Sequence, residues 1–186
     1  DDPAQSSPGE LAMHLLEDAI AHNLLENATI ASSDVQAEAF WKIRDSIAEA
    51  ERAAGAALQH DISVPVAAMA RFIEEESPRI EADYPGTKTV AFGHLGDGNI
   101  HFHVKAPEGV DVAGWYAADG KAITSHVYDR VRAYGGSLSA EHGIGQSKID
   151  EFARLAEPAR LSALRAIKSA FDPLGIMNPG KLVPLA

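Results

Sequence analysis

Three histidines, His94, His101 and His103, fall within ten residues and flank the run Leu95-Gly96-Asp97-Gly98-Asn99-Ile100. Asp97-Gly98 is a dipeptide favoured in two-residue hairpin loops, where both central residues need positive φ. A hairpin closed there pairs Gly96 with Asn99, Leu95 with Ile100, His94 with His101 and Phe92 with His103. Cross-strand partners share a face, with Cβ atoms roughly 5 Å apart. One face then carries His94, Asn99, His101 and His103. The other carries Ala91, Leu95, Ile100, Phe102 and Val104, a core face. Two imidazoles across a hairpin can share one metal ion. A three-residue loop at Gly96-Asp97-Gly98 would send His94 and His101 to opposite faces. The alternation argues against it, because that register mixes histidines with aliphatics. The plainer alternative is a solvated polar face that happens to be rich in histidine.

A carboxylate is the natural third ligand beside two imidazoles, and three protein ligands with an open position characterise a catalytic metal site. Glu141-His142 offers one, set between Gly135-Gly136 and Gly143-Ile144-Gly145. Glycines on both sides let backbone approach a ligand closely. His142, beside the metal without needing to ligate it, is then free to act as a general base. The bland counterpart is a surface loop with an incidental Glu-His.

These residues need elements to hold them. Leu11, Leu15, Leu16, Ala19 and Ile20 have helical spacing, with Ser7 or Gly9 near the cap. Ala28–Ala31 is a short strand candidate. Ser33-Asp34 caps a second helix that turns Val35, Ala39, Phe40, Ile43 and Ile47 inward and ends at Gly55. Asp61–Val64 reads as a strand closed by Pro65, followed by a helix from Val66 to about Ala82 whose Glu74-Glu75-Glu76 run is a solvated face. The hairpin occupies Thr87–Lys105. Val112–Tyr134 is helical, Leu138–Glu141 briefly extended, and two short helices fill about Ile149–Phe171, interrupted near Pro158. The segment Asp172–Lys181 is turn-rich. The fold class expected is α+β, a small antiparallel sheet covered by helices, with a helical C-terminal tail.

Composition excludes several roles. The 186 residues carry a net charge of −11, which argues against nucleic acid and anionic membranes. The absence of cysteine removes disulfides, thiolate metal sites and Cys nucleophiles, and fits a cytoplasmic location. No apolar run reaches the roughly 20 residues that span a bilayer. The acidic start Asp1-Asp2-Pro3 is no signal peptide, and a chain opening without Met reads as trimmed.

Three long stretches carry a family resemblance: Gly93–His101, Gly136–Gly145 and Asp172–Lys181. Together they resemble the C-terminal domain of FAD-linked oxidases. That family belongs to the vanillyl-alcohol oxidase flavoprotein group and itself includes D-lactate dehydrogenase, the glycolate oxidase flavin subunit and D-2-hydroxyglutarate dehydrogenase. The resemblance runs from about Glu10 to Pro184. It implies a ferredoxin-like substrate and metal cap domain over residues 1–146, truncated at its N-terminus. Residues 147–186 would be a helical tail returning to an FAD domain of the same polypeptide. It also implies a divalent metal, zinc or manganese, on His94, His101 and Glu141, holding a 2-hydroxy acid. His142 is placed like the family's base, Asn99 and Arg44 like its substrate-binding groups, and Asn178, with Lys181, like a segment near the flavin. FAD itself would be held mainly by the N-terminal domain, so this fragment alone is expected to be inactive.

There are departures from the family pattern. Gln59 stands where D-2-hydroxyglutarate dehydrogenases place lysine, and Ala48 where they place threonine. His103 replaces a common asparagine and Gln146 a common arginine. Losing a cation and a hydroxyl favours a small monocarboxylate, D-lactate or glycolate, over a diacid. An open sheet edge would suit a homodimer. Two other readings use the same residues: a self-sufficient metallohydrolase, and a non-catalytic metal or ligand-binding module.

Overall fold

The computed structural model describes residues 7–183. The chain divides into two units, Asp1–Glu51 and Arg52–Ala186. In the first, helix α1 (Pro8–Ala21) is capped by Ser7, not Gly9: the Ser7 hydroxyl accepts the Glu10 N–H while the Glu10 carboxylate accepts that of Ser7. This reciprocal box satisfies two otherwise orphaned donors. Helix α2 (Asp34–Ala53) starts where Ser33 Oγ accepts the Gln36 N–H. Ala28–Ala31, expected as a strand, is irregular. Phe40 and Ile43, expected inward, are 43% and 67% exposed. Two helices alone cannot enclose a core, and neither buries a residue fully.

The second unit is built on a three-stranded antiparallel sheet ordered β1-β3-β2, of strands β1 (Ala57–Ser63), β2 (Lys88–His94) and β3 (Asn99–Lys105). Period-two alternation divides β3 cleanly. Ile100, Phe102 and Val104 are buried on one face with Ile62 of β1. Helix α3 (Met69–Asp83) covers them with Phe72 and Ile80, after a 3₁₀ turn at Val66–Ala68. Helix α5 (Lys121–Ala133) adds Ile123, Val127 and Val131. The helix expected over Val112–Tyr134 is divided: one turn, α4 (Val112–Trp115), passes through a π-helical segment, Tyr116–Gly120, before α5 begins. Helices α6 (Ile149–Leu155) and α7 (Pro158–Phe171) follow. An α+β layer with helices on one sheet face is the architecture the sequence predicts.

Glu76 departs from its expected solvated face. It is 1% exposed, and its carboxylate accepts from Arg79 and Arg130 at 2.9–3.0 Å. Two guanidinium groups make the burial of that charge tolerable. The homodimer expected from an open sheet edge finds no support among the described residues.

The hairpin closes two residues earlier on β2 than its dipeptide suggests. His94 pairs with Asn99, Gly93 with Ile100, Phe92 with His101 and Val90 with His103, so the loop is Leu95–Gly98. Tertiary packing holds it open. The Gly98 carbonyl accepts the Val64 N–H at 3.0 Å. Gly98 has φ +77°, and a Cβ there would lie 2.0 Å from the Val64 carbonyl oxygen. Leu95, expected in the core, is 70% exposed in the loop. A two-residue shift preserves strand parity, so the polar face keeps its members.

Candidate metal centre

His94, Asn99, His101 and His103 share the sheet face opposite the helices, joined by Phe92 from β2 and by Gln59, Asp61 and Ser63 from β1. His94 and His101 are diagonal neighbours, not directly opposed, and long side chains still meet across a diagonal. Phe92 packs against both His101 and His103, with ring centroids 5.1 and 5.2 Å away.

Glu141 reaches this face from a distant loop. Ser63 and Ser137 exchange backbone hydrogen bonds of 2.9 and 2.8 Å, which starts the loop alongside β1. That approach needs Gly136, since a Cβ there would lie 2.2 Å from the Ser63 carbonyl oxygen. Beyond it, Glu141 Oε1 lies 3.5 Å from His94 Nε2, and Oε2 lies 3.9 Å from His101 Nε2. The ligand atoms of His94, His101 and Glu141 all lie within 4.8 Å of one another. Ligands about 2 Å from a tetrahedral zinc are separated by about 3.3 Å, so small side-chain rotations would bring all three onto one ion. Two imidazole nitrogens and a carboxylate oxygen are the donor set of zinc, and manganese is compatible with it.

His142, the expected base, is 66% exposed. Its ring centroid is 6.1 Å from that of His101. Asn99 is buried, yet neither its amide oxygen nor its amide nitrogen has a hydrogen-bond partner among the described residues. An orphaned buried amide costs about 1–3 kcal/mol, so a ligand that met it would recover that cost. Two further expected site residues belong to other segments of the chain. Arg44 is on α2 in the first unit, with Nη1 3.4 Å from Asp45. Asn178 sits in the tail at φ +46°, and with Leu164, Ile167, Phe171 and Met177 it lines an open, largely apolar groove of about 590 Å³. The tail folds back next to the site loop, where the Leu182 N–H bonds the Gly145 carbonyl at 3.0 Å and Lys181 meets Gln146.

One residue of the constellation carried no expected role. Asp61, 3% exposed, stands opposite His101 in the β1–β3 register. Its Oδ2 accepts the backbone N–H groups of Glu141 at 3.0 Å and His142 at 2.8 Å. Lys148 lies behind it, with Nζ 3.6 Å from Oδ2 and bonded to the Asp61 carbonyl and Ser139 Oγ. Burial is the largest influence on the Asp61 carboxyl and opposes its charge. The two N–H donors, then Lys148 and His142, together outweigh burial and hold it below the ordinary aspartate value. Asp61, Glu141 and His142 could also form a ligand set by distance alone. Asp61 is a poor ligand because its oxygens already accept N–H donors beside a cation. The sequence signal was an acidic residue on the polar side of an alternating strand, with nothing to say what it met.

Residues 3–182 match the family model described as FAD linked oxidases, C-terminal domain. A D-2-hydroxyglutarate dehydrogenase of Stutzerimonas stutzeri (strain A1501) is 34% identical over 175 residues, covering 93% of this chain and 37% of that protein. The mitochondrial D-2-hydroxyglutarate dehydrogenase of Arabidopsis thaliana is 35% identical over 162 residues, 87% of this chain and 27% of its own. That of Bos taurus is 32% identical, covering 97% and 32%. The chain therefore spans about a third of the length of the curated relatives it matches.

Proposed function

This chain belongs to the family of FAD linked oxidases, C-terminal domain, and from that premise we propose that it is the substrate- and metal-binding part of an FAD-dependent D-2-hydroxy acid dehydrogenase. The observation that carries the proposal is the meeting of His94, His101 and Glu141 within 4.8 Å of one another, next to His142. These three residues would hold a divalent metal, zinc or manganese, whose Lewis acidity lowers the pKa of a bound hydroxyl. Flavin, held mainly by a domain outside this chain, supplies the hydride acceptor. His142 takes the hydroxyl proton as the C2 hydrogen leaves with its electron pair, and the 2-hydroxy acid becomes a 2-oxo acid. The orphaned Asn99 amide hydrogen-bonds the substrate. Arg44 is assigned to its carboxylate, for which a guanidinium has the bidentate geometry.

The tail, residues 147–186, is assigned to the return toward the flavin domain, with Asn178 nearest the cofactor. Exposed Phe171, Leu174, Ile176 and Met177 supply apolar surface for that contact. The relatives are named for D-2-hydroxyglutarate. A second substrate carboxylate needs a cation, and the exposed Gln59, opposite His103 on the site face, offers none. D-Lactate or glycolate is the substrate class we assign. The cytoplasmic expectation rests on composition alone, since the relatives include bacterial proteins and proteins named mitochondrial. No helix among the described residues is long and apolar enough to cross a membrane.

Steady-state oxidation of a panel of D-2-hydroxy acids by the flavin-containing protein, before and after chelation, tests the proposal. We expect kcat/KM for D-lactate or glycolate to exceed that for D-2-hydroxyglutarate at least tenfold, and chelation to abolish turnover until zinc or manganese is restored. Preference for the diacid would overturn the substrate class. Equal rates with and without metal would overturn the metal role, and flavin-independent ester or amide turnover would favour the hydrolase.

A further inference from the structure

Glu141 and His142 sit on an exposed loop bounded by Gly136 and Gly143, yet a metal site needs its carboxylate held to within about 0.5 Å. The Ser63–Ser137 pairing anchors the start of that loop, four residues short of Glu141. Closer to the chemistry, the Ala140 N–H reaches the Asp61 carbonyl at 3.4 Å, and the buried Asp61 carboxylate takes the next two N–H groups. We propose that Asp61 is a positioning residue: it clamps the Glu141-His142 backbone to the sheet and so delivers both side chains to the two hairpin imidazoles. This rests on the metal reading above and adds a residue to it.

Three observations converge on Asp61. Two consecutive backbone N–H groups, of Glu141 and His142, converge on its Oδ2 at 3.0 and 2.8 Å. Charge-assisted bonds of this kind are about twice as strong as neutral ones. Asp61 also stands directly opposite His101, so the clamp and one metal ligand are cross-strand neighbours. Its Oδ2 also lies 3.7 Å from His142 Nδ1. Lys148 and Ser139 complete the clamp. Lys148 Nζ bonds the Asp61 carbonyl at 3.2 Å and Ser139 Oγ at 3.0 Å, and Ser139 Oγ bonds the Gly143 carbonyl at 2.9 Å. The whole turn is thereby tied to β1.

Groups that orient metal ligands typically change affinity by 10–100-fold when altered. Asp61→Asn replaces one acceptor oxygen by an NH₂ that must face a backbone N–H or the Lys148 ammonium. The test titrates Zn²⁺ into the protein and into its Asp61→Asn and Glu141→Gln variants, with far-UV circular dichroism as the check on folding. We expect Asp61→Asn to bind Zn²⁺ at least tenfold more weakly with an unchanged spectrum, and its Co²⁺ form to show altered d–d bands. Glu141→Gln should weaken binding at least as much. Asp61→Asn within twofold of the parent, beside a weakened Glu141→Gln, overturns the positioning role and spares the metal reading. Unchanged binding by both variants overturns the two together. Amide exchange in the unmodified protein is independent of any variant's folding. The Glu141 and His142 N–H groups should exchange at least 100-fold slower than random coil despite their exposed loop. Exchange at random-coil rates overturns the clamp.

Discussion

His60 and His101 lie on neighbouring strands, one residue out of register, and face opposite sides of the same sheet. His60 points among the helices and is 2% exposed. Its Nδ1 meets the Phe102 carbonyl at 3.0 Å, its Nε2 meets Thr124 Oγ1 at 3.2 Å, and its ring stands edge-on to Tyr128. A neutral imidazole that donates at Nδ1 and accepts at Nε2 satisfies both partners. Burial, above all, pushes its pKa down to about 4. His101 points the other way, toward Glu141 and away from the apolar core. The strand's chemistry splits along the same line: Phe102 is fully buried in contact with Phe72, while Asn99 is buried with its amide unmet. One face closes its own hydrogen bonds and supplies stability. The other holds the Asn99 amide without a partner among the described residues, and that is where we place the ligand.

The division of labour fails if damage to the core face is as selective for chemistry as damage to the polar face. Phe102→Ala should show the largest effect, a loss of about 4 kcal/mol of unfolding free energy, read by urea denaturation. Zn²⁺ affinity of the fraction still folded should change less than threefold. His60 supplies the next largest. Its folded pKa of about 4 lies below the unfolded 6.5, so the unfolded chain binds more protons between those values. Stability is therefore fully present above pH 6.5 and falls as pH drops toward 4, by about 3 kcal/mol in all. His60→Gln should lower stability at pH 7 and remove this part of the slope. A parent protein with a flat stability profile from pH 6.5 to 4.5 would deny that His60 is held neutral.

The two faces were unequally legible in the sequence. Alternation along Asn99–Lys105 separates Ile100, Phe102 and Val104 from Asn99, His101 and His103 whatever loop closes the hairpin, provided the shift is even. For that reason His94 and His101 share a face although the loop is two residues longer than its dipeptide suggests. Asp97-Gly98 signals a two-residue turn locally, but the bond from Val64 to Gly98 is a tertiary fact that no dipeptide reports. Strand β1 begins at Ala57 and not at Asp61 because pairing with β3 organises residues of weak intrinsic preference. The Asp61 clamp was hidden for a related reason, since its partners lie 80 and 81 residues away along the chain. The same holds for Glu76, whose burial depends on Arg130 from another helix.

His142 sharpens the contrast from the polar side. Its side chain is 66% exposed, so His142→Ala should change unfolding free energy by less than about 0.5 kcal/mol. Loss of a general base should lower kcat of the flavin-containing protein about a hundredfold, just under 3 kcal/mol, with Zn²⁺ affinity within threefold of the parent. Retained kcat would remove His142 from the proton transfer while leaving the metal site in place.

The smallest effect is also the most discriminating, because it runs in opposite directions for stability and for function. A buried amide that hydrogen-bonds within the fold is costly to replace by an apolar group, whereas an unmet one can be replaced at no loss or even with a gain. Asn99 is 2% exposed and its amide has no partner among the described residues, while its backbone N–H is bonded to Asp97 Oδ1 and is untouched by a side-chain change. Asn99→Leu, of similar shape, should therefore leave unfolding free energy unchanged or raise it by up to about 1 kcal/mol. KM for the 2-hydroxy acid should rise about tenfold, equivalent to about 1.4 kcal/mol, with Zn²⁺ affinity retained. Stability that falls by 2 kcal/mol or more would mean that the amide serves the fold. The polar face would then resemble the core face in satisfying itself, and the opposition between the two would lose its clearest member.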